Sequence, residues 1–489
     1  MKLREIIKNC GITSSAGCTE LEISFVTNDS RKVVPGSLFI AVSGCGNDGR
    51  AWISAAAERG AAAIMYEEPC ELPALPEGVA TLVCADSRRA AAMAADSFYG
   101  HPSGRLKLVG ITGTNGKTTT VTLLYRLFRS LGYECGLLST IANYVGARRT
   151  ETANTTSDPF TINSLLAEMA DAGCEYCFME VSSIGIEQQR VAGLGFRIGI
   201  FSNLTHDHLD YHGSFAEYLR CKKLFFDSLG PGADALVNAD DRHAEVMLQN
   251  CAARKVSFSC TRPADHSCRI LEKSLEGMLL RIDGAEVWTR LTGAHNASNL
   301  LVVYSAAVEL GADKDEVLLA LSALGSAPGR LETMHGPRGL CVVIDYAHTP
   351  DAMENVLRTL RETAPEKQLV CLFGCGGDRD RSKRPEMAAV AEKWADRIFV
   401  TSDNSRTEKT EDIMADIREG LSPSGLAKSV FIADRKEAIR TAIMLSPDGS
   451  TVLLAGKGHE TYQLIGTEKR HFDEKEIVKE VFDLCCTTL

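Results

Sequence analysis

The sequence predicts an α/β protein of three domains built on parallel sheets. Its 489 residues are too many for a single hydrophobic core. A glycine-rich stretch, GITGTNGKTTT at residues 110–120, lies between an apolar run and a helical pattern, as expected where a strand leads into a helix. After residue 339, strand-like and helix-like segments alternate, which is typical of a parallel sheet wrapped by helices.

Two breaks divide the chain into the predicted domains. The first break is HPSGR, residues 101–105, and the second is PGRLETMHGPRG, residues 328–339. Together they predict an N-terminal domain at residues 1–102, a central domain at 103–330 and a C-terminal domain at 331–489.

Composition and charge narrow the possible partners. The formal net charge of −11, spread without long single-sign runs, argues against a nucleic-acid partner, which requires a basic face. The N-terminal MKLREIIKNCG lacks the apolar core of a signal peptide, and no stretch approaches the roughly 18 apolar residues of a membrane span. We therefore expect a cytoplasmic protein with no membrane partner, and we expect it to be a monomer.

The 17 cysteines are scattered through a large chain and are expected to be reduced thiols. Cys174 and Cys177 form a C-x-x-C spacing, but they lie before an apolar run and no second pair follows at zinc-finger spacing. We interpret both as packing residues.

The glycine-rich stretch is close to a P-loop, the G-x-x-x-x-G-K-[ST] loop that binds phosphates, but Ile111 stands where that spacing places its first glycine. Its glycines still allow successive N–H groups to converge on an anion, and Lys117 adds a positive charge. Because a helical pattern follows, the anion meets a helix N-terminus, and Thr118 or Thr119 could hold magnesium. These features predict a central P-loop ATPase domain; the alternative is a glycine-rich turn that binds nothing.

A second polar cluster follows in the central domain. The predicted strand EYCFMEV ends at Glu180, where a P-loop protein needs a magnesium ligand. The stretch FSNLTHDHLDYHG, residues 201–213, adds four candidate ligands, and Mg²⁺ suits them better than zinc because no cysteine is near: His206, Asp207, His208 and Asp210. The alternative is that these histidines only cap loops.

The C-terminal domain is predicted to be a Rossmann-like, doubly wound fold. Its strand-like segments are CVVIDY, LVCLFG, RIFVTSD, SVFIAD and TVLLAG, and its helices are expected to begin near Asp351, Arg384, Thr410 and Lys436. Ligands of such sheets bind beyond the carboxyl ends of the strands. Four polar loops, YAHTPD, GCGGDRDRSKRP, SDNSRTE and GKGHE, are therefore expected to converge on one edge.

In this order the motifs resemble the Mur ligase family, whose members add amino acids to the peptidoglycan precursor in the bacterial cytoplasm. DSRKVVPGSLFIAVSGCGNDGR, residues 29–50, is similar to the segment that holds the uridine nucleotide in the ligase acting on UDP-N-acetylmuramoyl-L-alanyl-D-glutamate. GTNGKT, NTT, EVSS, NLTHDHLDYHG and HNASN resemble the family's ATP and metal elements. PGRLE, DYAHTP, GCGGDRD, DNSR and GKGHE resemble its amino-acid-adding module.

The resemblance implies an ATP-dependent ligase that uses Mg²⁺ and passes through an acyl phosphate on the D-glutamate side chain. The implied catalytic residues are Lys117, Glu180, His208 and Lys222. Those implied to hold magnesium are Thr118, Glu180, His208 and Lys222. Lys222 is implied to be carbamylated, because a plain ammonium would repel magnesium whereas a carbamate supplies a carboxylate-like oxygen ligand. Those implied to hold ATP are Gly113, Thr114, Asn115, Gly116, Lys117, Thr118, Thr119, Asn296, Arg330 and Asp345.

The other two substrates are assigned by the same resemblance. Those implied to hold the UDP-muramoyl dipeptide are Ser30, Asn154, Thr155, Thr156, Ser182 and Arg190. Those implied to hold the incoming amino acid are Arg379, Asp403, Asn404, Ser405, Arg406, Gly456 and Glu460.

Three departures from the family pattern affect local loops. Ser157 stands where TTP is common, Ile184-Gly185 stands where EVSSHA is common, and Ser405 stands where DNPR is expected. None of them removes a charge that the chemistry needs.

Arg406 predicts meso-diaminopimelate as the added amino acid, because its planar guanidinium matches the carboxylate that lysine lacks. The alternatives are that Arg406 only ties its loop to a neighbouring acid and that the ligase adds L-lysine. Two further alternatives are a folylpolyglutamate synthase-like ligase and a nucleotide-driven switch that hydrolyses ATP slowly without an acceptor.

Overall fold

The computed structural model describes residues 1–44, 48–152, 154–207 and 209–487. Its three main sheets confirm the predicted three-domain α/β class. The N-terminal sheet has the order β1-β5-β4-β3-β2, parallel except for β1 against β5. Its elements are α1 (Leu3–Ile6), β1 (Ile12–Ala16), β2 (Phe25–Thr27), β3 (Ser37–Ala41), α2 (Ile53–Glu58), β4 (Ala61–Glu67), β5 (Ala80–Cys84) and α3 (Ser87–Phe98).

The central sheet has eleven strands in the order β16-β15-β14-β13-β12-β11-β6-β10-β7-β8-β9. Its strands are β6 (Lys107–Thr112), β7 (Cys135–Leu138), β8 (Asn143–Val145), β9 (Arg148–Thr150), β10 (Tyr176–Glu180), β11 (Phe196–Phe201), β12 (Asp234–Asn238), β13 (Arg254–Ser259), β14 (His266–Lys273), β15 (Met278–Ile282) and β16 (Ala285–Thr289). Its helices are α4 (Lys117–Ser130), α5 (Pro159–Asp171), α6 (Ser183–Glu187), α7 (Leu209–His212), α8 (Phe215–Asp227), α9 (Ala244–Leu248), α10 (Ala294–Glu309) and α11 (Lys314–Ala323).

The C-terminal sheet has the order β17-β18-β22-β19-β20-β21, and a two-stranded sheet pairs β23 with β24. Its strands are β17 (Glu332–His335), β18 (Cys341–Asp345), β19 (Leu369–Phe373), β20 (Arg397–Val400), β21 (Ser429–Phe431), β22 (Thr451–Ala455), β23 (Tyr462–Ile465) and β24 (Glu468–His471). Its helices are α12 (Pro350–Thr363), α13 (Lys383–Trp394), α14 (Thr410–Glu419), α15 (Pro423–Ala427), α16 (Arg435–Met444) and α17 (Glu474–Thr487). The predicted helix starts agree within one residue.

The core of the central sheet is parallel, as predicted, and antiparallel strands extend it at both edges. From β14 to β7 the central strands run parallel, but β15, β16, β8 and β9 pair antiparallel at the two edges. In the C-terminal domain β17 pairs antiparallel with β18. Two neighbouring strands joined by a short turn are antiparallel, whereas two parallel neighbours need a longer crossover connection. Asp283-Gly284, both with positive φ, joins β15 to β16 and is the sequence signal for such a hairpin.

Two apolar cores cover the faces of the central sheet. One face packs against α4, α10 and α11 and includes Val109, Phe128 and Phe178. The other packs against α5 and α8 and includes Cys177, Phe196 and Phe225. Strands buried on both faces read as continuous apolar runs, which is why their positions are predictable.

Cys174 and Cys177 are packing residues, as predicted. Both lie in the core against α5 and α8, and burial raises the pKa of the Cys177 thiol well above its usual range. The cysteines whose side chains the structure describes carry free thiols. Over those same ranges, no helix combines the length and apolar character needed to cross a membrane.

Candidate active site

The glycine-rich loop connects β6 to α4 at the carboxyl end of the central sheet. Gly116 has φ 88°, and a Cβ there would lie 2.5 Å from Asn299 Oδ1, so the turn requires glycine. The helix begins at the next residue, Lys117, whose Nζ donates to the carbonyls of Gly113 at 2.8 Å and Thr114 at 2.9 Å. Burial lowers the pKa of Lys117, and the nearby Glu180 and Asp207 oppose this shift. The loop, its ammonium and a helix N-terminus thus face one cavity.

Two oxygen donors lie side by side next to this loop. Thr118 Oγ1 donates to Glu180 Oε2 at 2.9 Å, and the backbone N–H of Thr140 donates to Glu180 Oε1 at 2.8 Å. Glu180 is only 1% exposed but lines the cavity. A hydroxyl and a carboxylate are hard ligands, so this pair fits the preference of Mg²⁺.

Lys222 lies on α8 directly beneath the loop and is 1% exposed. Its Nζ donates to the carbonyl of Gly113 at 2.9 Å, so two ammonium groups, those of Lys117 and Lys222, meet at one oxygen. Burial lowers the pKa of Lys222 well below its usual value, and the charge of Lys117 lowers it further. A neutral amine at this position is the form that reacts with carbon dioxide to give a carbamate.

The predicted acidic and histidine cluster lies partly outside the described residues. His208 falls outside them, and so does the side chain of Asp210. His206 Nε2 lies 3.6 Å from Asp380 Oδ2 of the C-terminal domain, and Asp207 lines the same cavity as the glycine-rich loop. Within the described part of the chain, no three His, Cys, Asp or Glu side chains group closely enough to hold a metal. A four-residue metal site here stays a prediction.

A cavity of about 250 Å³ lies behind the loop, between the central and C-terminal domains. Asn296, Arg330 and Asp345, all predicted to hold adenosine, line it together with Thr119. Arg330 Nη2 donates to Thr118 Oγ1 at 3.3 Å, and its guanidinium lies 4.9 Å from the centre of the Tyr346 ring. Burial raises the pKa of Asp345, although Arg330 opposes this.

The predicted convergence of the four C-terminal loops is confirmed. A cavity of about 450 Å³ is lined on one side by the glycine-rich loop and on the other by all four loops. The lining residues include, from the loops in chain order, Tyr346, Arg379, Asp403, Asn404, Arg406, Gly456 and Glu460. The phosphate-binding element and the candidate amino-acid site therefore share one space.

Arg406 has φ 51°, an uncommon backbone conformation for a residue with a side chain. Its Nη1 donates to the carbonyl of Gly377 at 2.8 Å and of Asn404 at 3.4 Å. These partners are backbone carbonyls rather than a carboxylate. Ser405 is 4% exposed and lies behind the cavity wall, and Arg379 Nη1 donates to the carbonyl of Asp378 at 3.1 Å.

A third cavity, of about 1100 Å³, lies between the N-terminal and central domains. Ser30, Asn154 and Arg190 line it, whereas Thr155 lines the central cavity. The other two predicted residues, Thr156 and Ser182, hold the loop between these cavities: Thr156 Oγ1 donates to the carbonyl of Glu180 at 3.0 Å and accepts from the N–H of Ser182 at 2.9 Å.

The departure at Gly185 has a packing reason. An alanine Cβ there would lie 2.7 Å from Thr156 Cγ2 and 2.8 Å from Thr156 Cβ. Thr156 is 2% exposed and hydrogen-bonded on both sides, so it has no room to move.

We expect Gly185→Ala to destabilise the protein by about 1–3 kcal/mol in urea unfolding, because overpacking outweighs the roughly 1 kcal/mol gain in helix propensity. Gly104→Ala is the matched control, since a Cβ there meets nothing within 4 Å. An alanine variant at position 185 as stable as the unmodified protein would contradict the packing argument.

Several residues of the site were not singled out from the sequence. Asn299 contacts the glycine-rich loop, Asp351 Oδ2 accepts from Asn115 Nδ2 at 2.7 Å, and Lys457 lies buried behind Glu460. The signal was present in each case, since Asn299 lies in HNASN, Asp351 in YAHTPD and Lys457 in GKGHE.

Comparison with protein families gives matches along most of the chain. The N-terminal residues 22–99 match the model described as Mur ligase family, catalytic domain. Residues 111–307 match the Mur ligase middle domain, and residues 329–458 match the Mur ligase, glutamate ligase domain.

Individual proteins agree with these matches. A UDP-N-acetylmuramoyl-L-alanyl-D-glutamate–2,6-diaminopimelate ligase of Bacteroides fragilis is 48% identical over 486 residues, covering 99% of this chain and 100% of the relative. A solved structure of an enzyme with that name is 33% identical, with a TM-score of 0.70 and 99% coverage of both chains. A MurF ligase of Thermotoga maritima in complex with ADP shares the fold at 18% identity, with a TM-score of 0.64 and coverage of 94% of this chain and 97% of that one. The chain belongs to the Mur ligase family.

Proposed function

We propose that the protein is an ATP-dependent ligase that joins meso-diaminopimelate to UDP-N-acetylmuramoyl-L-alanyl-D-glutamate, in cytoplasmic synthesis of the peptidoglycan precursor. One observation carries the proposal: a single cavity is lined by the glycine-rich loop and by the four loops of the C-terminal sheet. Such a cavity holds a phosphate donor and an incoming amine next to each other. The names of the Bacteroides fragilis relative and of the enzyme in the solved structure support the same substrates.

The nucleotide assignment rests on the loop and on the cavity behind it. We assign the phosphates to the loop residues Gly113 to Thr119 and the adenosine to Asn296, Arg330 and Asp345. The Thermotoga maritima ligase of the same fold was solved with ADP, which supports ATP as the phosphate donor.

The chemistry requires a carboxylate to become an acyl donor. Phosphoryl transfer from ATP to the D-glutamate side chain gives an acyl phosphate, which the amine attacks as phosphate leaves. Lys117 and Arg330 place positive charge beside the transferring group, and the helix N-terminus at Lys117 orients it.

Magnesium is part of the proposal. Thr118, Glu180, His208 and a carbamylated Lys222 would hold it, and when bound it supplies positive charge against the phosphates. The meeting of the Lys117 and Lys222 amino groups at the Gly113 carbonyl favours carbamylation, because the carbamate places a negative charge beside the Lys117 ammonium instead of a second amino group.

The UDP-muramoyl dipeptide is assigned to the large N-terminal cavity. Ser30 would face the uridine. Asn154 and Arg190 line the same cavity, and Thr155 lines the neighbouring cavity that contains the glycine-rich loop. Thr156 and Ser182 would fix the loop that carries them.

The incoming amino acid is assigned to the C-terminal loops. Arg379 and Arg406 suit carboxylates, Asp403 and Glu460 suit ammonium groups, and Asn404 and Gly456 complete the wall. Ser405 holds the backbone behind the wall rather than reaching the cavity.

We expect Arg406→Ala to reduce the preference for meso-diaminopimelate over L-lysine by roughly a hundredfold, since a charge-assisted carboxylate pair is lost. The measurement is kcat/KM for each amino acid. Arg470→Ala is the control, because Arg470 is an exposed arginine paired with Glu468 on β24. Equal kcat/KM for both amino acids in the unmodified enzyme would exclude the assignment of Arg406 to meso-diaminopimelate. It would not contradict the proposed ligase activity.

Phosphate release separates the proposed ligase from its alternatives. We expect release only when ATP, the UDP-muramoyl dipeptide and meso-diaminopimelate are present together. Steady release with ATP alone would indicate a nucleotide-driven switch, and release that depends on a folate would indicate a folylpolyglutamate synthase-like enzyme. Either result would overturn the proposal.

A further inference from the structure

Lys457 lies behind the wall of the central cavity, in the GKGHE loop that follows β22. Its side chain is 0% exposed, and its Nζ donates to Glu460 Oε2 at 2.8 Å and to Asn404 Oδ1 at 3.3 Å. Asn404 Nδ2 donates to the same Glu460 oxygen at 3.0 Å. Burying an ammonium is costly unless it is paired, so Lys457 and Glu460 hold each other in place.

The two oxygens of Glu460 are in different situations. Among the described residues, Oε2 accepts from two donors, whereas Oε1 accepts only a weak hydrogen bond from the Tyr346 hydroxyl at 3.5 Å. Glu460 lines the cavity and Lys457 is buried behind it. Lys457 therefore orients Glu460 so that Oε1 is the atom left for a ligand in the cavity.

The charge of Lys457 also reaches the other carboxylate of this wall. Burial acts to raise the pKa of Asp403, but Lys457 is the strongest of the charges that lower it, and the net shift is downward. The charged side chains that the C-terminal domain contributes to the cavity lining are Arg379, Arg406, Lys383, Asp380, Asp403, Glu386 and Glu460. Lys457 adds a buried positive charge directly behind two of them, Asp403 and Glu460.

We propose that Lys457 is a positioning residue that sets amino-acid specificity, by orienting Glu460 and by making the site selective for a zwitterionic end group. The proposal rests on the proposed function. The far end of meso-diaminopimelate carries one ammonium and one carboxylate and is neutral overall, whereas the far end of L-lysine carries one ammonium. A buried positive charge therefore weakens binding of the cationic lysine end group more than binding of the neutral diaminopimelate end group.

The test is the specificity ratio, kcat/KM for L-lysine divided by kcat/KM for meso-diaminopimelate, in Lys457→Met. We expect this ratio to rise on the order of tenfold, because removing one buried positive charge favours the more positive end group. Most of the change should be in KM, and the affinity for ATP should not change. Lys469→Met is the matched control, since Lys469 contacts the same Tyr462 ring as Lys457 but from the exposed side.

A second variant covers the case in which Lys457→Met does not fold. Lys457→Gln keeps a donor for Glu460 but removes the charge, and the same rise in the ratio is expected. In a Glu460→Gln background, the part of the effect on KM for meso-diaminopimelate that comes from orienting Glu460 should disappear, whereas the change in the specificity ratio that comes from the charge of Lys457 should remain. An unchanged ratio in a folded Lys457 variant would overturn the inference. Absence of meso-diaminopimelate ligation in the unmodified enzyme would instead overturn the proposed function.

Discussion

Lys117→Ala is expected to reduce ligation by roughly a thousandfold or more while leaving the fold intact. The substitution removes the ammonium that we assign to the ATP phosphates, and the partners that it leaves are two loop carbonyls, those of Gly113 and Thr114. The measurements are product formation with all three substrates and thermal unfolding of the free protein.

The control for this variant is Lys255→Ala, an exposed lysine on β13. It should retain full activity and stability. If a folded Lys117→Ala enzyme still formed substantial product, the assignment of the glycine-rich loop to the ATP phosphates would fail.

Lys222→Ala is expected to lower activity on the order of a hundredfold or more, because it would remove the carbamate oxygen that we propose as a magnesium ligand. Added acetate should restore part of the activity, since truncation of a side chain that is 1% exposed leaves space for a small carboxylate. Phosphate release with and without acetate measures the rescue.

Lys223→Ala is the matched control, because Lys223 is the next residue on α8 but its Nζ contacts the Gln249 carbonyl and Asp227 instead. It should be active and insensitive to acetate. Mass spectrometry of the active enzyme gives the decisive result, since an unmodified Lys222 in fully active protein rules out the carbamate.

The sequence predicted the parts of this site that depend on short-range pattern. The strand ends and helix starts follow from local periodicity, so the positions of Glu180 and Lys117 at the carboxyl edge of the sheet were predictable. The convergence of the four C-terminal loops follows from strand direction alone. Family resemblance added the roles of individual residues.

The tertiary structure decided what depends on residues far apart in the chain. The antiparallel edges of the central sheet, the shared Gly113 carbonyl beneath two ammonium groups and the buried Lys457 could not be read from local pattern. Arg330 reaches Thr118 from 212 residues away, and Asn115 reaches Asp351 across 236. Periodicity reports which face of an element is buried, but the charges that meet at one atom are fixed only when elements far apart in the chain pack together.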